Sequence, residues 1–240
     1  MTTPMAMHMS DGLLDPATSA LFGLVAAAGL TLAVLRARRD LDDRTAPMAG
    51  LVAAFVFAAQ MLNFPVLPGV SGHLLGGALA ALLVGPAVGA LCLTIVLVIQ
   101  ALMFADGGLT ALGANVTNMA LIGTVAGYLV ALGLRRFAVR GRAGLAVMAF
   151  LAALVNTVAA ASGFVVEYGI GGQGGVSLVG VATAILGVHI LIGVGEGVIT
   201  ALTVTAVAAV RPDLVHVLRG ADRPLQLRPS PVARPEESGA

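Results

Sequence analysis

The sequence contains no lysine: its 13 basic residues are all arginine. That absence excludes a Walker A phosphate loop and a Schiff-base lysine, both of which need an amine on a flexible stem. Any pumping by this chain must draw on a gradient or on another subunit. Cysteine is nearly absent as well. Cys92 is the single one and lies in an apolar run, so no intrachain disulfide can form. Charge is scarce, at 10% of residues, against roughly 25% in soluble domains. Hydrophobic residues make up 58%. A water-soluble fold could not hide that much apolar surface. The chain therefore reads as an all-α integral membrane protein with room for about six to eight spans of ~20 residues. No nucleic-acid partner is expected.

Apolar runs cover roughly 17–35, 47–62, 74–84, 86–104, 111–134, 144–166 and 178–210. The third is short, and only Gly85-Pro86 divides it from the fourth. The arginines decide whether to count it. They fall in three groups: Arg36, Arg38, Arg39 and Arg44; Arg135, Arg136, Arg140 and Arg142; and Arg211, Arg219, Arg223, Arg228 and Arg234. Cytoplasmic loops collect positive charge. All three groups share one side only if an even number of spans separates each pair. Gly85-Pro86 is then a tight cytoplasmic turn, and seven transmembrane helices follow, with the N-terminus outside and the C-terminus cytoplasmic. The expected organisation is an N-terminal extension over 1–6, a seven-helix membrane domain over 7–211, and a disordered cytoplasmic tail over 212–240. The outer face carries Asp11, Asp15, Asp106 and Glu167 and no arginine, which favours cation capture.

Two of the four histidines lie on that outer side. His8 sits in Met7-His8-Met9-Ser10-Asp11-Gly12, and His73 in Gly69-Val70-Ser71-Gly72-His73. A terminal Met-His is a chelator in its own right. The free amine, the His8 amide nitrogen and the His8 imidazole occupy three corners of a square through five- and six-membered rings. One more imidazole completes four nitrogens. Such a square suits Ni²⁺, Cu²⁺ or low-spin Co²⁺ better than zinc. The thioethers of Met5, Met7 and Met9 leave open a Cu(I)-scavenging terminus. Asp11, Ser71, Asp106, Asn115 and Asn118 are read as supporting residues around the site. Asn115 and Asn118, three apart, share a helical face. His189 and Glu196 share a face of the last run, and ionisable groups inside a membrane are functional hypotheses by default. They are candidates for an ion or proton path.

Several stretches resemble the CbiM/NikM family, the cobalt and nickel substrate-binding membrane subunits of energy-coupling-factor transporters. They are Met7 through Leu14, Asn63-Phe64-Pro65, Ser71 through Gly77, Gln100 through Asn118 with Asp106-Gly107-Gly108, and His189 through Thr200 around Gly195-Glu196-Gly197. The resemblance runs from Met7 to about Val210. It implies a non-catalytic subunit with seven spans in a prokaryotic cell membrane. It implies a metal held by the Met7 amine, the amide and imidazole nitrogens of His8, and His73. Co²⁺ or Ni²⁺ is then the transported substrate, with no organic cofactor. The implied partners are a membrane scaffold subunit, cytoplasmic ATPase subunits and a small accessory membrane subunit, serving cobalamin synthesis or nickel enzymes. Two departures stand out. Residues 1–6 would block the Met7 amine, so the expected mature N-terminus is Met7. Ser10 replaces a proline common in the family.

Two rivals remain on the residues alone. One is a self-sufficient, proton-coupled secondary metal carrier using His189 and Glu196. The other is a membrane metalloenzyme, weakened by the lack of an acid-base pair at a spacing such as His-Glu-x-x-His.

Overall fold

The computed structural model describes residues 8–41, 45–61, 64–67, 70–138, 140–173 and 175–219. Helix α1 (Pro16–Asp40) starts where the sequence supplies both a cap and a helix-compatible proline. The Asp15 carboxylate accepts the Thr18 N–H at 2.8 Å, and Pro16 occupies the first turn. Arg38 and Arg39 close its last turn, where cations favour the helix dipole. Helix α2 (Thr45–Gln60) leads into a two-stranded antiparallel ribbon, β1 (Phe64–Leu67) and β2 (Val70–Gly72), with Phe64 opposite Gly72. The all-α reading did not include this ribbon.

Next come α3 (Gly77–Val84) and α4 (Pro86–Met103). Gly85 breaks them apart with φ +91°, a conformation that favours glycine, and Pro86 then starts the new helix. Helix α5 (Leu112–Asn115) runs through a π-helical stretch, Val116–Gly123, into α6 (Thr124–Ala138). Two long helices finish the bundle, α7 (Arg142–Gly171) and α8 (Leu178–Val210).

Among the described residues, five helical runs are long and apolar enough to cross a membrane, and α2 is a shorter apolar helix. The expected third span, 74–84, corresponds to α3, which is short. Eight residues of helix rise about 12 Å, well short of the ~30 Å hydrocarbon core. Every residue of α3 is nonetheless buried. It is a half-helix sunk among its neighbours, preceded by the extended segment 73–76.

The expected disordered tail also needs correction at its start. Residues 212–218 form two short 3-10 turns, and Val215 and Val217 are buried in the main core. Two apolar side chains two residues apart give this short piece something to bury. His216 lies against Gly85 and Tyr128. Residues 220–240 and the extension 1–6 lie outside the described residues.

Contacts gather the described arginines at one end of the bundle. The Arg135 side chain donates to the Arg219 carbonyl, and the Arg219 guanidinium lies 3.4 Å from the Thr45 hydroxyl at the start of α2. Arg142 opens α7 at the same end, so the C-terminal end of α7 points to the other.

Candidate metal centre

The chain entering α1 crosses that other end as an irregular strap, residues 8–15. Hydrogen bonds tie it on two sides. Toward the α7–α8 connection, the Asp15 N–H donates to the Gly171 carbonyl at 2.8 Å and the Leu13 carbonyl accepts the Gln173 N–H at 2.9 Å. Toward the loop before α5, the Asn115 side chain pairs with the Met9 peptide. It accepts the Met9 N–H at 2.9 Å and donates to the Met9 carbonyl at 3.1 Å. Gly108 N–H donates to the same carbonyl at 2.8 Å. Asp11 accepts both the N–H and the hydroxyl of Thr110, at 2.7 and 2.6 Å. The Thr110 hydroxyl bond foremost holds the Asp11 carboxyl below its ordinary range. The approach is so close that a Cβ on Gly108 would lie 2.2 Å from the Asp11 nitrogen, which explains a glycine there.

The strap delivers His8 to His73 and Asp106. The ligand atoms of the three residues all lie within 4.8 Å of one another. His8 Nδ1 is 3.0 Å from Asp106 Oδ1, and the two imidazole rings are 4.8 Å apart at centroids, tilted by 53°. His73 Nδ1 donates to the Leu74 carbonyl at 2.9 Å. That acceptor sets the tautomer, placing the proton on Nδ1 and the lone pair on Nε2. Burial, and then the neighbouring His8, push the His73 pKa down to about 4. The ring is therefore neutral and ready to ligate at neutral pH. The His8 hydrogen bond holds the Asp106 carboxyl below the usual range. Ala105, just before it, has φ +52°, a left-handed conformation that costs a non-glycine residue about 1–2 kcal/mol.

Both Nε2 atoms, of His8 and of His73, are buried without a hydrogen-bond partner. Buried polar atoms are nearly always paired, so two orphans side by side require a reason. Neutral imidazoles with one carboxylate are a donor set for a borderline transition-metal cation.

The other expected site residues separate. Met7 lies outside the described residues. Ser71 sits in β2 opposite Pro65, two residues before His73. Asn115 holds the strap, but Asn118 turns away and donates to Glu167 Oε2 at 2.6 Å. Asn115 and Asn118 still line one cavity, as a shared face predicts, although a π-helical stretch begins between them at Val116. Glu167, expected in an outer loop, lies inside α7 and is buried. His189 Nδ1 bonds the Ile185 carbonyl of its own helix at 2.7 Å. His189 lines a cavity of about 20 Å³ with Asn115 and Asn118, whereas Glu196 lines a different one beside Gln60. Sequence reasoning missed the Leu74 carbonyl and the hydroxyl of Thr157, which donates to Glu196. No sequence signal marks a carbonyl or a threonine in an apolar run.

A helical bundle of this hydrophobicity, with a nitrogen-rich cluster at one end and arginines at the other, is a multi-pass membrane protein of the prokaryotic metal-transport class. More particularly, the chain belongs to the CbiM family: residues 8–214 match the cobalt uptake substrate-specific transmembrane region. A putative metal transport protein of Haloquadratum walsbyi is 43% identical, over 87% of this chain and 93% of its own length. A putative fused nickel transport protein, NikMN, of Archaeoglobus fulgidus is 42% identical, over 88% of this chain and 68% of its own length. The cobalt transport protein CbiM of Geobacter sulfurreducens is 38% identical, over 88% and 62%. A crystal structure of a truncated transition metal transporter superposes with TM-score 0.74 at 31% identity, covering 85% of this chain and 99% of that one.

Proposed function

We propose that this protein is the substrate-binding membrane subunit of an energy-coupling-factor uptake system, capturing Co²⁺ or Ni²⁺ outside the cell. The observation that carries the reading is the convergence of His8, His73 and Asp106, whose ligand atoms lie within 4.8 Å of one another, with His73 Nε2 buried and unpartnered. The names of the relatives, cobalt for one and nickel for another, support the choice of cations. The gathering of arginines at the opposite end supports an outward-facing site and a cytoplasmic C-terminus. The sevenfold crossing then counts α2 and the α3 half-helix with the five longer runs.

In this reading the Met7 amine, the His8 amide and the His8 imidazole chelate the cation, and His73 closes the square. The six-membered ring through His8 uses Nδ1, the atom now bonded to Asp106. The cation therefore displaces that hydrogen bond, and the Asp106 carboxylate stays beside it as a neighbouring negative charge. With no lysine for a phosphate loop, the chain takes its energy from partners: a membrane scaffold, cytoplasmic ATPases and a small accessory membrane subunit.

The proton-coupled carrier is less favoured. Glu196 already accepts four hydrogen bonds, which leaves a travelling ion no free acceptor. Liposomes test the choice. The chain alone, under a pH gradient, is expected to bind Ni²⁺ or Co²⁺ without importing it, and import is expected only with ATPase partners and ATP. Import by the chain alone under the gradient would reverse the assignment.

A further inference from the structure

We infer that Glu196 is a positioning residue for the metal centre: its carboxylate clamps the backbone that carries His73. The inference rests on the reading of His73 as a ligand. Oε2 of Glu196 accepts the Leu75 N–H at 2.9 Å and the Thr157 hydroxyl at 3.0 Å. Oε1 accepts the Gly76 N–H at 2.9 Å and the Asn156 amide at 3.2 Å. A carboxylate offers about four acceptor sites, and α7, α8 and the segment before α3 together fill them. All four contacts are buried, so losing one would leave a polar group unpaired away from water.

The clamp is two-sided. While Glu196 on α8 holds the amides of Leu75 and Gly76, the Leu75 carbonyl accepts Gln60 Nε2 from α2 at 2.7 Å. One peptide back, the Leu74 carbonyl takes the His73 Nδ1 proton and so orients the imidazole. Gly76 lets the chain turn here. Its φ is +83°, and a Cβ would sit 2.8 Å from the Val56 side chain. The line of cause runs from the α8 carboxylate to two amides, to one carbonyl, to the ring that presents Nε2. Helical periodicity marks Glu196 as buried and polar. It does not show that the carboxylate grips a segment more than a hundred residues earlier in the chain.

The test is a double-mutant cycle on the full-length protein in detergent. Glu196→Gln keeps the shape but turns one acceptor oxygen into an NH₂ facing two donors. Wild type, His73→Ala, Glu196→Gln and the double variant are titrated with Ni²⁺ by calorimetry, and the visible absorption of the bound Ni²⁺ is recorded. Glu196→Gln is expected to weaken Ni²⁺ binding at least ~10-fold and to shift the absorption bands. In the His73→Ala background it should weaken binding no further, because the clamp acts through His73. Thr157→Val removes one donor and should give a smaller loss in the same direction; if Glu196→Gln does not fold, the same cycle is run with Thr157→Val. Equal losses in both backgrounds mean a general structural role and overturn the inference, as does wild-type affinity in the clamp variants. If His73→Ala itself binds as tightly as wild type, the ligand reading fails first and the clamp falls with it.

Discussion

Each end of this bundle has a short piece of chain folded back onto it, and although both bury apolar side chains, Met9 and Leu14 at one end and Val215 and Val217 at the other, they differ in how far side-chain hydrogen bonds fix them. At the metal-centre end, residues 8–15 are held by polar groups: Asn115 on the Met9 peptide, Asp11 on Thr110, and backbone bonds to the end of α7. At the arginine end, residues 212–218 are held chiefly by burying Val215 and Val217 under α3, with His216 packed on Gly85. Apolar contacts are non-directional. They hold a segment in place without fixing an imidazole to a fraction of an ångström. Hydrogen bonds are directional, and a planar nitrogen site needs that direction. On the proposed reading, the strap is pinned by hydrogen bonds because it carries a ligand. The C-terminal turns are greasy because, on this reading, they carry none.

The widest expected gap between the two ends comes from His73→Ala. It removes one of the two orphaned nitrogens, leaving three ligands and an open position. The loss of Ni²⁺ affinity should exceed the ~10–100-fold typical of losing a residue that merely supports a ligand. The fold should persist, because Leu75 keeps its carbonyl on Gln60 and its N–H on Glu196, and only the Leu74 carbonyl loses its partner. Calorimetric titration alongside thermal unfolding separates the two effects. Unchanged affinity would remove the metal centre from this end altogether.

A second contrast lies in where the strap begins. A chain starting at Met7 offers a free amine; one that keeps residues 1–6 offers an amide, which must lose a proton before it ligates. The shorter chain is expected to bind Ni²⁺ at least about tenfold more tightly at pH 7, with the difference narrowing as pH rises and the amide deprotonates. Equal affinities across that range would dismiss the amine as a ligand while leaving His8 and His73 in place.

Asp106→Asn should act in the same direction but less strongly. It removes a negative charge 3.0 Å from His8 Nδ1 while keeping a polar group of similar shape. A loss of roughly 10-fold is expected, and raising the salt concentration should shrink the difference because Asp106 is only half-buried. A loss that ignores salt would point to disordering of the loop instead of lost charge.

These residues also show how much was legible beforehand. Periodicity and charge located the helices, because long apolar runs and clustered arginines are large signals summed over many residues. Chelation chemistry singled out His8 and His73, since few other side chains in so apolar a chain bind ions. Three things were not legible. The Asn118–Glu167 hydrogen bond was not foreseeable, because nothing in Val116–Gly123 announces a π-helical stretch and Glu167 reads as an outer-loop residue. Residues 74–84 count as a span because arginine parity requires one; neither charge nor apolarity records that residues 73–76 are extended, end in a left-handed Gly76 and leave only eight residues of helix. The partners of Glu196 were hidden because burial of a carboxylate is visible in sequence, whereas the amides that it accepts belong to a distant segment.

The smallest expected effect on the metal, and the sharpest check on the contrast, is Val215→Ala at the arginine end. Val215 is fully buried in the core that also contains α3. Truncation deletes two methyl groups and leaves a small void, at a cost of about 1–2 kcal/mol. The unfolding temperature should drop by a few degrees. Ni²⁺ affinity should not change, because the metal centre is anchored from Gln60, Asn115 and Glu196, none of which needs the C-terminal turns. The variant is best measured beside Asn115→Ala, which leaves the buried Met9 peptide with two bonds fewer and should lower both stability and affinity. A loss of affinity in Val215→Ala comparable to that in Asn115→Ala would mean that the two ends are mechanically coupled through α3, and the division of labour drawn between them would have to be given up.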